Sequence, residues 1–337
     1  MGWLNYITLN SVAPVPNLHQ ISDAGAGEGL MQLHPTRDTE QIACGHANTL
    51  LNGEFHPSPV LGNGSVTPAI LVHGLFRALQ KKGFKIRLHC YQLGLDNTPD
   101  FSDCKLDDVV VHHCNIGDEA ELIQKELIPE LKRQAEEGEE HLIAESGIGG
   151  TTFATLWLRR WIDESLWFAG STKDPQKLAI KSQLLESLWE KSSELALDVN
   201  QYRVDNELSD PVQRACCSLL ESPCKSLNFA GGAMIFAPVI AMNGSSPVNE
   251  VSISTTKWVL ECEDSRVAAF SLPDNCRLTT PKADFLLSEY EAIRMYEKGY
   301  VIEGCGLGAC LVFAEQHGLS ESEIISSLDS AVGHWLS

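Results

Sequence analysis

The chain predicts an α/β protein: a Rossmann-like, doubly wound, mostly parallel sheet with helices on both faces. Three observations carry that expectation. Short runs with strand character, such as FKIRLHC, HLIAES and VSISTT, alternate with stretches whose apolar residues recur at helical spacing. Such alternation requires crossovers, and crossovers make neighbouring strands parallel. With 337 residues, 43% of them hydrophobic, the chain is long enough to bury the core that such a sheet needs.

The first sixty residues are rich in Gly, Pro, Asn and Ser and read as an extended arm and cap, with one short helix around Asp38 to Leu51 (DTEQIACGHANTLL). From Thr67 the string TPAILVHGLFRALQKKG has helical spacing, with Gly83 as a suitable C-cap. A strand follows at Phe84 to Cys90, and DDVVVHH reads as a short buried strand. EAELIQKELIPELKRQAEEG is a charged amphipathic helix that Pro129 kinks or divides. HLIAES, His141 to Ser146, is a strand leading into a helix from about Thr151. Then come a long helix near Pro175 to Leu197, the strand-like KSLNFAGG, the apolar helix AMIFAPVIAM, the strand VSISTT and the short apolar run VAAF. Beyond about Thr280 the chain reads as mainly helical, and Ser320 with Glu323 forms a capping box. The expected division is a core over 66–279 and a smaller lobe from 1–65 and 280–337 that completes the active site.

The formal charge of -20 argues against a nucleic-acid surface, so any anionic ligand must be held by local donors. No apolar run approaches the roughly 18 to 20 residues that span a bilayer. The opening MGWLNYITLNSVAPVPN lacks the basic segment and apolar core of a signal peptide. A cytoplasmic protein without membrane partners is therefore expected. Eleven cysteines without a C-x-x-C read as reduced thiols. His112, His113 and Cys114 follow Val109, Val110 and Val111 at a strand end, where a structural role outweighs a metal site. Trp157, Trp161, Trp167 and Trp189 lie on helical segments and are expected in the core or a subunit interface. Arg159 and Arg160, at the second turn of a helix, are expected to face solvent or a carboxylate.

Two strings carry the chemistry. In ESGIGGTT, Gly147, Gly149 and Gly150 allow the backbone to approach an anion closely, and Thr151 and Thr152 offer hydroxyls at a helix start. The string is neither a Walker motif nor a dinucleotide fingerprint, and a plain tight turn with an N-cap explains it equally well. In YVIEGCGLGACLVFAEQHG a second carboxylate, Glu303, precedes Gly304, Gly306 and Gly308 at the start of another apolar helix. Two carboxylates before glycine turns point to a shared site, with helix capping by Glu303 as the alternative.

ESGIGGTT, AGSTKDPQKLAIKSQLLESL, FAGGAMIFAPVIAM and YEKGYVIEGCGLGA, in that order and approximate spacing, resemble the nicotinate-nucleotide:dimethylbenzimidazole phosphoribosyltransferase family of cobalamin biosynthesis. The likeness is closest to its uncharacterised archaeal and cyanobacterial-type homologues, and it covers about Pro68 to Val312. It implies transfer of a phosphoribosyl group from nicotinate mononucleotide to an azole base, without metal or other cofactor, in a homodimer. Glu303 then matches the general base and Glu145 the second acidic residue. Gly147, Gly149, Thr151 and Thr152 fall on the loop for nucleotide phosphate and ribose, Gly304 and Gly306 on the opposing loop, and Lys181 near the phosphate. Gly231 and Gly232 begin a helix beside the site, in close packing or in contact. The chain departs from the family at Gly150, where the bacterial enzymes have Asn, and at Lys173, where they have Gly. GNGSVTPAILVHG, with Ser65 and Thr67, stands where the base pocket is expected, with helix capping as the alternative. A nucleotide-processing enzyme with another acceptor, including water, and a noncatalytic nucleotide-binding regulator are the competing expectations.

Overall fold

A computed structural model describes residues 2–25, 27–51, 58–248 and 250–336. Seven parallel strands form one sheet: β1 (Trp3–Val12), β2 (Lys85–Leu93), β3 (Asp108–Cys114), β4 (Glu140–Ile148), β5 (Ser226–Ala230), β6 (Glu250–Ser254) and β7 (Cys276–Thr279). Their order is β3-β2-β1-β4-β5-β6-β7. The winding reverses between β1 and β4, and the crevice beyond the carboxyl ends of those strands is where such sheets bind ligands. Helices cover both faces, giving the Rossmann-like α/β architecture expected. No helix among the described residues is long and apolar enough to cross a membrane.

The largest departure is at the start of the chain. Trp3–Val12 is no arm: it pairs with β2 on one side and β4 on the other, at the centre of the sheet. Central parallel strands usually read as unbroken apolar runs. Here Asn5, Thr8, Asn10 and Ser11 interrupt the run and are nevertheless buried. Partners explain part of this, since Asn10 Nδ2 donates to Thr39 Oγ1 at 2.7 Å and to Gln92 Oε1 at 2.8 Å. The carboxyl-terminal helices also join the core. A methyl group at Gly74, on the Pro68–Lys81 helix, would lie 2.7 Å from Ser327 O and 2.9 Å from Ala331 Cβ of the Glu321–Leu336 helix. That crossing belongs to the same apolar cluster as Leu4 and Tyr6 of β1, so the two chain ends pack into the core rather than beside it.

Other boundaries shift for local reasons. The first long helix covers Leu33–Cys44, earlier than expected, and Gly45 closes it. Pro129 divides its helix as anticipated: Glu119–Leu122 passes through a widened turn, Ile123–Leu127, into Ile128–Glu137. β3 is a half-buried edge strand instead of a buried one. The long helix is Pro175–Ser193, and VAAF closes the Glu263–Phe270 helix. Among the elements without a forecast are the four-residue edge strand β7, the Val199–Val204 helix and the fully buried Pro211–Leu220 helix.

Candidate active site

β4 delivers Glu145 to the switch-point crevice, and its chain continues through Gly149 into the Thr151–Trp161 helix. The glycines of this turn are closely packed by neighbouring side-chain ends. A methyl group at Gly147 would meet Met234 Cε at 2.6 Å, and one at Gly150 would meet Asp210 Oδ2 at 2.7 Å. The space expected to admit an anion is therefore occupied by protein on the Cβ side. Met234 and Asp210 also fill the volume that the Asn of the bacterial family would need at position 150. Gly231 is fitted in the same way, with Glu145 Cγ 2.6 Å from where its Cβ would be.

Glu145 is 8% exposed, and among the described residues its carboxylate accepts one long hydrogen bond, from Gly147 N at 3.4 Å. Burial first, then the charge of Glu303, pushes its carboxyl up to about 8. Asp210, fully buried below the turn, accepts Gln213 N at 3.0 Å through Oδ1, whereas Oδ2 has no partner among the described residues. Burial raises Asp210 to about 6 and its charge adds to the pressure on Glu145.

Glu303 is held differently. Oε1 accepts Gly304 N at 3.0 Å and Gly308 N at 3.3 Å. Oε2 accepts Thr256 N at 2.7 Å and the Thr255 hydroxyl at 3.2 Å. A carboxylate has about four lone-pair directions, and here all are taken. Loss of solvent raises the Glu303 pKa, and these donors pull it back only in part. Glu303 thus caps the Leu307–Gln316 helix and fastens it to the residues after β6. Gly306, at φ 62°, has Cβ space only 2.8 Å from the Cβ atoms of Ala144 and Ala230, so no other residue fits. Gly304 packs against Pro68, 3.0 Å from its Cγ.

Lys181 lies near the first turn, 3% exposed. Its Nζ donates to Phe168 O at 2.8 Å and Ala169 O at 2.9 Å and makes no ion pair among the described residues. Burial depresses the amine to about 7. Gly170 joins it to the helix start: a methyl group there would be 3.3 Å from Lys181 Nζ and 3.0 Å from Thr151 Oγ1. Thr152 Oγ1 is buried without a partner among the described residues. Lys173 sits over the Tyr300 ring at 4.7 Å and so touches the Glu303 loop.

The base-pocket expectation divides. Ser65 is fully buried and its hydroxyl donates to Asn63 Oδ1 at 2.6 Å, a turn contact that leaves no surface for a base. Thr67 caps the Pro68–Lys81 helix, accepting Ala69 N at 3.1 Å, and its hydroxyl reaches Asp38 Oδ1 at 3.5 Å. Arg159 pairs with Glu186 at 3.1 Å, and Arg160 stacks on Trp189 at 5.0 Å. Trp157 is buried, with its indole N–H on Leu208 O at 2.8 Å. His112 stacks on Tyr91, with centroids 4.4 Å apart. Sequence reasoning missed Asp38, Asp210, Thr255, Thr256 and Cys305. Only Cys305 lay within a motif; the others are scattered polar residues that the fold gathers.

No family model matches the chain. Curated relatives match along nearly its whole length. A UPF0284 protein of Saccharolobus islandicus (strain L.S.2.15 / Lassen #1) is 24% identical, over 97% of this chain and 92% of the relative. One of Saccharolobus solfataricus is 25% identical, over 96% and 91%. One of Gloeothece citriformis (strain PCC 7424) is 23% identical, over 93% and 86%. The chain is thus similar, end to end, to UPF0284 proteins, whose names state no reaction.

Proposed function

We propose that the protein transfers the phosphoribosyl group of nicotinate mononucleotide to a benzimidazole-type or other lower-ligand base, giving an α-ribazole-type 5'-phosphate for cobamide biosynthesis. The observation that carries this reading is the pair of low-solvent carboxylates, Glu145 and Glu303, on two glycine turns at the switch point, with a buried lysine that lacks an anion. The family resemblance supplies the substrates.

The acceptor nitrogen attacks the ribose anomeric carbon as the bond to nicotinate breaks. The bonding pair returns to the pyridinium nitrogen, which becomes neutral, and the acceptor's N–H proton must go to a base. The resemblance gives that part to Glu303. Its filled lone pairs make it a poor acceptor unless a donor leaves, whereas Glu145 has free ones. In our reading the ionised form of Glu145, which fills as pH rises toward about 8, takes the proton, and Glu303 provides fixed negative charge for the oxocarbenium-like transition state. Lys181, Thr151 and Thr152 receive the phosphate, which supplies the anion that the amine lacks.

The test is incubation with nicotinate mononucleotide and a panel of bases, including dimethylbenzimidazole and adenine, followed by mass-resolved chromatography. Free nicotinate with an α-linked nucleotide, both lost in Glu145→Gln, is the expected result. Nicotinate without an adduct would mean water is the acceptor. Nucleotide binding without turnover would make the chain a binding protein.

A further inference from the structure

Cys305 stands between Gly304 and Gly306 in the Glu303 turn, yet its own φ is 52°, in the left-handed region that disfavours any side chain. Only one other non-glycine residue among the described residues, Asn17, shares this property. Glycine would relieve the strain, so the side chain retained at 305 needs a reason.

The thiol is 3% exposed and points at protein. It donates to Asp38 Oδ2 at 3.7 Å and lies 4.0 Å from Ser146 Oγ, while the Cys305 carbonyl accepts the Tyr6 hydroxyl. Asp38 is fixed in turn. His34 Nε2, one helical turn earlier, reaches the same Oδ2 at 3.2 Å, and the Thr67 hydroxyl meets Oδ1 at 3.5 Å. Burial would lower the His34 pKa, but the Asp38 charge outweighs it and the imidazole is held above its ordinary value. Residues from the Leu33–Cys44 helix, from the cap of the Pro68–Lys81 helix and from the Glu303 turn therefore converge on a single carboxylate. The transfer chemistry uses none of these contacts.

We propose that Asp38 is a positioning residue of the Glu303 turn: oriented by His34 and Thr67, its carboxylate takes the Cys305 thiol hydrogen and keeps residue 305 left-handed. That conformation aims the Gly304 and Gly308 N–H groups at Glu303 and fixes the carboxylate at the crevice. The proposal rests on the reading that Glu303 serves in phosphoribosyl transfer, and its test has one arm that does not depend on turnover.

The full-length chain is prepared as Asp38→Ala, Cys305→Gly, Cys305→Ser and the Asp38→Ala/Cys305→Gly double variant. Steady-state kinetics with nicotinate mononucleotide are measured beside peptide-resolved amide hydrogen exchange. Asp38→Ala and Cys305→Gly should each lower kcat by about 10- to 100-fold, the scale of a misplaced catalytic group. KM for the nucleotide should stay within about 3-fold, because the phosphate contacts are elsewhere. Cys305→Ser keeps a donor and should stay near wild type. The double variant should fall no further than the worse single one, as expected for two ends of one contact. Exchange across residues 303–308 should quicken in Asp38→Ala and Cys305→Gly, not in Cys305→Ser, with β4 unchanged.

A Cys305→Gly variant as active and as protected as wild type would overturn the proposal, since the left-handed backbone alone would then suffice. So would an Asp38→Ala variant with unaltered kcat and exchange. If wild type turns over no base, the transfer reading fails, and the exchange pattern still decides whether Asp38 holds the turn.

Discussion

The two glycine turns of the crevice look alike in sequence and are opposites in chemistry. ESGIGG presents a carboxylate with a single long hydrogen bond, packed on Met234 and on a second buried acid, Asp210. EGCGLG presents one whose oxygens together accept four donors. A bare buried carboxylate holds its proton tightly and releases it at a pH that neighbours can tune. A saturated one is a fixed charge that also organises the backbone around it. The contrast teaches that a glutamate before a glycine turn has no chemical role until its donors are counted.

The largest expected effect separates the two. Glu145→Gln should lower turnover by about 10²- to 10⁴-fold, the usual weight of a general base. It should also change how stability depends on pH. The folded chain holds the Glu145 proton up to about 8, whereas the unfolded chain releases it near the ordinary 4.5. Between those values the folded state binds more protons, so wild-type stability declines as pH rises, by up to about 1.4 kcal/mol per pH unit. Thermal melts from pH 5 to 8 should show that slope in wild type and lose its Glu145 share in Glu145→Gln. Glu303→Gln, at a carboxyl whose pKa is also raised but pulled back by its donors, should remove a smaller share of that slope and add a different cost. Its amide nitrogen cannot accept, so a backbone donor loses its partner at a cost of about 1–3 kcal/mol. If Glu303→Gln removes the larger share of the slope and Glu145→Gln the smaller, the two roles are reversed.

That distinction was not readable from the sequence. The parallel sheet, most helices and both glycine turns were legible because they rest on local periodicity and turn chemistry. The strand at the centre was hidden, since Asn5, Thr8, Asn10 and Ser11 interrupt an apolar run and only tertiary neighbours make their burial tolerable. The donors on Glu303 were hidden for a related reason. Thr255 and Thr256 follow a different strand, some fifty positions earlier in the chain, and Asp38 comes from the first long helix. Even the glycines of ESGIGG were read for their use alone: Met234 and Asp210 pack closely on them whether or not an anion binds.

A smaller effect is expected at Lys181, which sharpens the comparison by testing the first turn for an anion. Lys181→Met keeps the stem and removes the amine. Loss of one charge-assisted hydrogen bond should raise KM for nicotinate mononucleotide by about 10- to 100-fold and leave kcat less affected. The folded amine is depressed to about 7, against an ordinary 10.5, so the charged form is penalised by burial below the upper value. Relief of that penalty and loss of the donor to Phe168 O and Ala169 O act in opposite directions, so melting at pH 7 should change little in the variant. An unchanged KM would remove the phosphate from this end of the crevice.

The smallest expected effect concerns the link between the turns. Lys173 lies 4.7 Å over the Tyr300 ring, at the entrance to the Glu303 loop. Tyr300 is 41% exposed, so solvent screens the contact and its worth is about 0.5–1 kcal/mol. Lys173→Ala should lower the melting temperature by only a few degrees at most and leave the Glu145 pH dependence intact, because among the described residues Lys173 contacts neither carboxylate. A kcat that falls by about tenfold or more without loss of stability would show that the bridge carries the two turns together during turnover, since such a loss exceeds what an exposed cation–π contact supplies. The two carboxylates would then have to be treated as one jointed unit rather than as a bare acid facing a fixed one.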